Sequence, residues 1–447
     1  MTKSLNHQIT SSLYIHWPFC ESKCPYCDFN SHVTDRVEYQ RWLTGYLKAI
    51  DFYSEKLETR NWKLEIRNID NKEFQLPVSS FQFPKKISSI FFGGGTPSLM
   101  KPEMVFEIIQ KAKKKFEIAD DIEITLEANP SSFETEKFKA FKDAGINRVS
   151  IGVQSFDEAA LKFLGRKHDK NQAIHAIEQA GKIFGNFSFD LIYALPKQTL
   201  ESWQKELDFA LQFNTPHLSL YQLTIEKGTP FYADFHKGKF KLPEEDLQTD
   251  LYIETVEKCA KAGLERYEIS NFAKPAYESQ HNMNYWLQND YIGIGPGAHG
   301  RLSKLEVGSW KLEEKKHQTS NFKLPTKIAT MDIHHPENWL KAVEENGHGI
   351  QSTEILSPQE IFEELIFMGL RIKEGISWSK FEVGSLKLEE KNEEKKHQTY
   401  NIKLPTLLKK LCDEGLMIID ENSMKLTKEG MLLHTSIVKK IIEAKAI

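Results

Sequence analysis

From residue 13 to about residue 300 the chain alternates short apolar runs with stretches of helical period, and few folds accommodate that rhythm. Runs at 13–15, 87–92, 122–127, 148–152, 187–193 and 217–223 read as strands. Between them, 39–52, 102–116, 134–144, 171–183 and 200–213 carry the apolar spacing of amphipathic helices. Such alternation builds βα units around a parallel sheet, with sites at the C-terminal ends of the strands. At least six units predict a full or partial barrel, the open doubly wound sheet being the alternative. A helix at 247–262, a strand at 266–269 and a loop-rich stretch at 271–300 are expected to close this domain, which spans 1–300.

Beyond it, 301–356 reads as a linker with an inserted segment, and 357–447 as a smaller domain. Helices at 359–368, 377–383 and 407–414, a hairpin of 416–419 and 424–426, and a C-terminal helix resemble a winged helix. Such a module either binds DNA or packs as a lid. The chain's net charge of −4 argues against binding by bulk electrostatics. The lysine doublets Lys409–Lys410 and Lys439–Lys440 lie beside Asp413, Glu414 and Glu443, so the packing role is expected and nucleic acid is not. A repeat interrupts both regions: Ser309-Trp310-Lys311-Leu312-Glu313 with Asn321-Phe322-Lys323-Leu324-Pro325-Thr326 recurs at 385–389 and 401–406, and loosely at 61–77. Unequal spacing excludes a solenoid, and the polar composition points to late insertions into surface loops.

No stretch approaches the roughly 20 apolar residues of a membrane span. Residues 1–10 are polar and lack the apolar core of a secretory signal. Five cysteines in 447 residues do not make a disulfide scaffold. A cytosolic protein is therefore expected. Three of the five, Cys20, Cys24 and Cys27, fall within eight residues, directly after the first strand. Three thiolates on one short loop can hold three corners of a cubane iron–sulfur cluster and leave the fourth iron open. A zinc knuckle would need a fourth ligand; Cys259 and Cys412 are distant and inside helices, leaving His16 or His32.

The spacing C-x3-C-x2-C, with Tyr26 before the last cysteine, resembles the signature of the radical S-adenosylmethionine (SAM) superfamily. The resemblance implies an α/β fold with a partial (β/α)6 barrel, a [4Fe–4S] cluster on Cys20, Cys24 and Cys27, and SAM chelated to the open iron. Gly93-Gly94-Gly95-Thr96-Pro97, after the second strand, matches the family's segment for the methionine amino group. Glu127, Gln154, Arg166 and Asp190 follow in the family's order as SAM contacts, with Tyr14 and Tyr26 beside the cysteine loop.

Tyr14-Ile15-His16-x-Pro18-Phe19-Cys20, Phe91-Phe92-Gly93-Gly94-Gly95-Thr96-Pro97-Ser98-Leu99 and Gly152-Val153-Gln154-Ser155-Phe156 are similar to the oxygen-independent coproporphyrinogen III oxidase-like branch. The oxidases carry a fourth cysteine two residues after the third, where this chain has Phe29, and a longer N-terminal extension; only thirteen residues precede Tyr14. Pro25-Tyr26-Cys27-Asp28-Phe29-Asn30-Ser31-His32 instead resembles the haem-chaperone subgroup, which also carries the element present here as His281-Asn282-Met283-Asn284-Tyr285-Trp286. That resemblance implies haem as cargo, with His281, Tyr285 and Trp286 as its contacts and His299 as an alternative ligand. It also implies acceptor haemoproteins, often at the respiratory membrane, which a cytosolic protein would meet peripherally. The alternatives are a coproporphyrinogen dehydrogenase and a winged-helix regulator sensing iron or redox state.

Overall fold

The computed structural model describes residues 11–34, 36–59, 63–67, 73–77, 86–131, 135–303, 322–323, 327–380, 382–383 and 403–445. The repeated segments lie largely outside the described residues. Within them the strand Lys63–Arg67 pairs antiparallel with Glu73–Pro77, and Phe322–Lys323 with Glu382–Val383.

The βα rhythm is realised almost as written. In chain order come β1 (Ser11–Trp17), α1 (Tyr39–Thr59), β2 (Lys86–Gly94), α2 (Pro102–Lys115), β3 (Glu117–Ala128), α3 (Phe138–Asp143) and β4 (Arg148–Gln154). They are followed by α4 (Glu158–Phe163), α5 (Lys170–Ile183), β5 (Asn186–Tyr193), α6 (Leu200–Leu211), β6 (His217–Gln222), α7 (Pro230–His236) and α8 (Glu245–Lys261). Local chemistry marks the helix starts. Asp169 and Thr199 form capping boxes with Gln172 and Ser202, contacts worth about 1 kcal/mol each.

The stretch 271–300, expected to be loop-rich, instead contains β8 (Asn271–Ala273), α9 (Gln280–Trp286), β9 (Asp290–Ile294) and the start of β10 (His299–Ser303), after the two-residue β7 (Glu265–Arg266). The stretch 301–356, expected to be a linker, carries β11 (Lys327–Asp332), α10 (Pro336–Asn346) and β12 (Ile350–Ile355). All these strands join one sheet, in the order 7-8-6-5-4-3-2-1-9-10-11-12. Strands β1 to β6 run parallel to one another, as does β9 beside β1; the flanking strands, β8 beside β6 among them, are antiparallel. Edge strands β7 and β12 do not pair, so the barrel is partial and open.

Parallel strands are usually apolar on both faces. Here they are not. Leu13, Ile15 and Trp17, Val149, Ile151 and Val153, and Phe187, Phe189 and Leu191 face outward into the core shared with the helices. The alternate positions, among them Ser12, Glu123, Arg148, Ser188 and His217, are polar yet buried. They bond one another across the interior: Ser12 Oγ to Ser89 Oγ at 2.8 Å, Arg148 Nη2 to Ser188 Oγ at 2.9 Å, and Ser188 Oγ to Ser150 Oγ at 2.9 Å. The fold therefore surrounds a polar interior that accepts charged chemistry.

The small C-terminal unit holds α11 (Pro358–Gly369), β13 (Ile376–Ser377), α12 (Lys403–Asp413), β14 (Met417–Ile419), β15 (Ser423–Leu426), α13 (Lys428–Leu432) and α14 (His434–Lys445). The hairpin and flanking helices appear as expected. The helix expected at 377–383 does not: Trp378–Lys380 is a single 3-10 turn after β13, which pairs with β15. Lys410 and Lys439 lie 3.7 and 3.9 Å from Glu414 and Glu443. Among the described residues no helix is long and apolar enough to cross a membrane.

Candidate functional site

The cysteine loop leaves the C-terminal end of β1 and returns as His32–Val33, which pairs parallel with Phe19–Cys20. The Cys27 N–H donates to Cys24 O at 3.1 Å, tightening the loop between two of the thiols. Burial pushes the Cys20 and Cys27 thiols up, so both ionise readily only against a cation or metal. Among the described residues no three His, Cys, Asp or Glu side chains converge on a point that would hold a single metal ion. A cubane asks for less convergence, since it offers each thiolate its own iron.

The glycine segment at the end of β2 packs under this loop. A Cβ on Gly95 would lie 2.6 Å from Phe19 O, and one on Gly94, at φ +110°, 2.6 Å from the His16 ring. Glycines here thus let the segment approach the base of the cysteine loop, and the Gly95 and Thr96 N–H groups donate to Trp17 O and Phe19 O at 2.7 and 2.8 Å. The Thr96 hydroxyl then reaches Cys20 Sγ at 3.4 Å.

One open cavity of about 180 Å³ gathers most of the expected residues. Cys20, Cys24, Cys27, Tyr26, Gly94, Gly95, Thr96, Glu127, Gln154, Arg166 and Asp190 all line it. Tyr14 does not. It stands deeper, its hydroxyl 3.0 Å from His16 Nδ1, and burial pushes its phenol well above the usual range.

The electrostatics of the cavity favour a ligand with a cationic part. Glu127 and Asp190 are buried near each other. Burial first, and then the Asp190 charge, push the Glu127 carboxyl up to about 8. Burial also lifts Asp190 to about 6, against its bonds to Ser219 and Ser150. The nearby Arg148 guanidinium, which donates to Ser188 and lies 3.9 Å from Glu123, offsets only part of this. On the opposite side, Arg166 donates to Asn129 Oδ1 at 2.6 Å, Gly152 O at 2.7 Å and Cys24 Sγ at 3.5 Å, while its buried Nε has no partner. Gln154 sits at the β4 bulge with φ +70°, a conformation that costs of order 1–3 kcal/mol and clusters at functional sites. Paired carboxylates and an unsatisfied guanidinium nitrogen fit an amino-acid sulfonium with its own carboxylate.

Asn129, Arg148 and His168 were not singled out in the sequence. Asn129 links Arg166 to Thr96, and His168, which lines the cavity, bonds Val153 O at 2.9 Å. Alternation along Arg148-Val149-Ser150-Ile151-Gly152 places Arg148 on the face of Ser150 and would have revealed it.

His281, Tyr285 and Trp286 lie elsewhere. They belong to α9, and His281 is 3% exposed. Its ring stacks on Phe91 at 4.3 Å and meets Tyr285 edge-on at 4.6 Å, and its Nδ1 is 3.5 Å from Ser89 Oγ. Burial holds its imidazole down at about 3. Glu123 accepts from Ser279 Oγ and from the N–H groups of Gln280 and His281 at 3.2–3.3 Å, tying the start of α9 into the barrel. Trp286 faces the C-terminal unit, under the Arg371 guanidinium, which also pairs with Glu268 at 3.0 Å. His299 is exposed on β10, in a second cavity with Arg301 and Met331.

Residues 14–210 match the model of the radical SAM superfamily, and 356–433 that of the HemN C-terminal domain. Radical S-adenosyl methionine domain-containing protein 1, mitochondrial, of Mus musculus is 33% identical over 96% of this chain and 86% of its own length. Heme chaperone HemW of Bacillus subtilis is 31% identical over 95% and 97%, and that of Buchnera aphidicola (from Schizaphis graminum) 40% over 66% and 71%. The structure of Escherichia coli coproporphyrinogen III oxidase, HemN, superimposes with a TM-score of 0.69 at 20% identity, covering 97% of this chain and 90% of that one, and so shares the fold. With the Mus musculus and Bacillus subtilis relatives matched along nearly its whole length, the chain belongs to the radical SAM superfamily and, within it, to the HemW family.

Proposed function

We propose that the protein is a haem chaperone that binds haem and passes it to acceptor haemoproteins, holding a [4Fe–4S] cluster on Cys20, Cys24 and Cys27 and SAM in the adjoining cavity. The observation that carries this reading is the joining of three thiols, two buried carboxylates and the unpartnered Arg166 Nε in one cavity, in a chain similar throughout to proteins named heme chaperones. When bound and reduced, the cluster supplies an electron that can cleave a C–S bond of SAM.

The chain's own residues do the positioning. Thr96 steadies Cys20, and Arg166 joins Cys24 to the end of β4 through Gly152 O. Glu127 and Asp190 receive the cationic part of SAM, and the Arg166 Nε its carboxylate. Burial of these groups strengthens every such contact. Phe29 occupies the place of the oxidases' fourth cysteine, which favours cargo binding over propionate decarboxylation. Work in the cytosol, with peripheral contact to membrane-bound acceptors, accords with this role.

The test is direct. Anaerobically reconstituted protein should bind haem, transfer it to an apo-haemoprotein and leave coproporphyrinogen III unchanged. Formation of protoporphyrinogen would select the dehydrogenase instead. Failure to bind haem would end the chaperone reading.

A further inference from the structure

Where the cysteine loop meets the antiparallel half of the sheet, several imidazoles gather around Asn30. The Asn30 amide nitrogen donates to Pro296 O at 2.9 Å and to His334 O at 2.8 Å, which fixes its orientation. Its Oδ1 therefore faces His32 Nε2, 2.9 Å away, and can only accept. His32 must carry its proton on Nε2 and present Nδ1 as a lone pair. An imidazole whose second nitrogen donates to a fixed oxygen is oriented in the way metal-ligating histidines are.

The surroundings match one kind of ligand. Phe29, which also lines the cluster cavity, and Val33 stand on either side of His32 in sequence and are 58% and 59% exposed, so both offer apolar surface to a ligand. His334 and His335 are exposed as well, the His335 ring 6.2 Å from that of His32. Lys23 lies alongside, its ammonium 3.5 Å from Phe29 O and Ser31 O. A flat apolar macrocycle with carboxylates on one edge and an iron seeking a neutral nitrogen is complementary to this set. By contrast, His281 is buried, its ring stacked on Phe91 and edge-on to Tyr285.

We propose that haem docks on this edge, its iron taken by His32 Nδ1, its ring against Phe29 and Val33, and a propionate at Lys23. The proposal rests on the haem-chaperone reading. It puts the cargo iron on the same loop as the cluster thiols, five residues beyond Cys27.

Haem titration of the full, cluster-loaded chain, read by the Soret band and by ferric-haem electron paramagnetic resonance, tests it. His32→Ala should lose the wild-type axial-ligand signature and weaken binding at least tenfold, while the iron–sulfur absorbance persists. Added imidazole should restore the signature. Phe29→Ser, which keeps the ligand, should lower affinity several-fold with the signature unchanged. A wild-type signature and affinity in His32→Ala would overturn the proposal, as would a signature lost only in His281→Ala; the chaperone reading would survive either result. A wild-type chain that binds no haem would overturn both.

Discussion

The two ends of the barrel interior use the same residue types to opposite ends. At the C-terminal mouth, the Asp190 charge raises the buried Glu127 carboxyl, Arg148 offsets only part of that, and Arg166 keeps a buried nitrogen without a partner. At the other end, Glu123 lies 3.9 Å from Arg148 and accepts from three donors on α9, while His281 rests between Phe91 and Tyr285 with Ser89 beside it. Buried polar groups cost stability unless satisfied. The two carboxylates at the mouth, raised to about 8 and about 6, mark where a cationic ligand belongs, whereas Glu123, held by three donors of α9, marks where the fold has closed on itself.

Substitutions can break that contrast. The largest effect is expected at the thiols: Cys24→Ala should abolish cluster assembly, with iron content and the visible iron–sulfur absorbance of the reconstituted protein falling to background. Retention of a full cluster would remove the loop from the site.

Next comes Glu127→Gln, which keeps the shape and removes the charge. It should weaken SAM binding roughly tenfold to a hundredfold, in line with about 1.5–3 kcal/mol for a hydrogen bond to a charged group. The pH dependence sharpens this. In the ligand-free cavity the Glu127 carboxyl keeps its proton below about 8, whereas a bound cation selects the ionised form. SAM affinity measured by calorimetry should therefore rise with pH through 8 and level off above it, with proton release on binding. Glu127→Gln should flatten that rise.

The opposite end should respond in stability and not in ligand binding. His281→Ala removes a buried ring from an aromatic stack and should cost about 2 kcal/mol in denaturant unfolding, with SAM affinity retained. Ser89→Ala, which loses the contacts to Ser12 and His281, should cost about 1 kcal/mol. A large loss of SAM binding in either variant would mean that the two ends are coupled.

The mouth was far more legible in the sequence than the closed end. Cys20, Cys24 and Cys27 are local, as are Gly94, Gly95 and Thr96, and strand ends point to the same rim whatever the helices between them do. What the sequence hid is non-local. β9 is five residues, Asp290-Tyr291-Ile292-Gly293-Ile294, interrupted by glycine and read as loop; its partner β1 lies almost the whole domain away in sequence. The histidine of α9 looks like a ligand beside aromatics until the register of β2 places Phe91 across it. The helix expected at 377–383 failed because its first residue, Ser377, continues the strand of Ile376 and pairs with Ser423 of β15 instead.

The most direct test of the account is the electron paramagnetic resonance spectrum of the reduced, anaerobically reconstituted cluster, recorded with and without SAM. Three thiolates and a vacant iron beside the carboxylate pair predict a cubane signal that changes when SAM is added, in proportion to its occupancy. A signal indifferent to SAM, or a preparation that takes up zinc in place of iron, would contradict it.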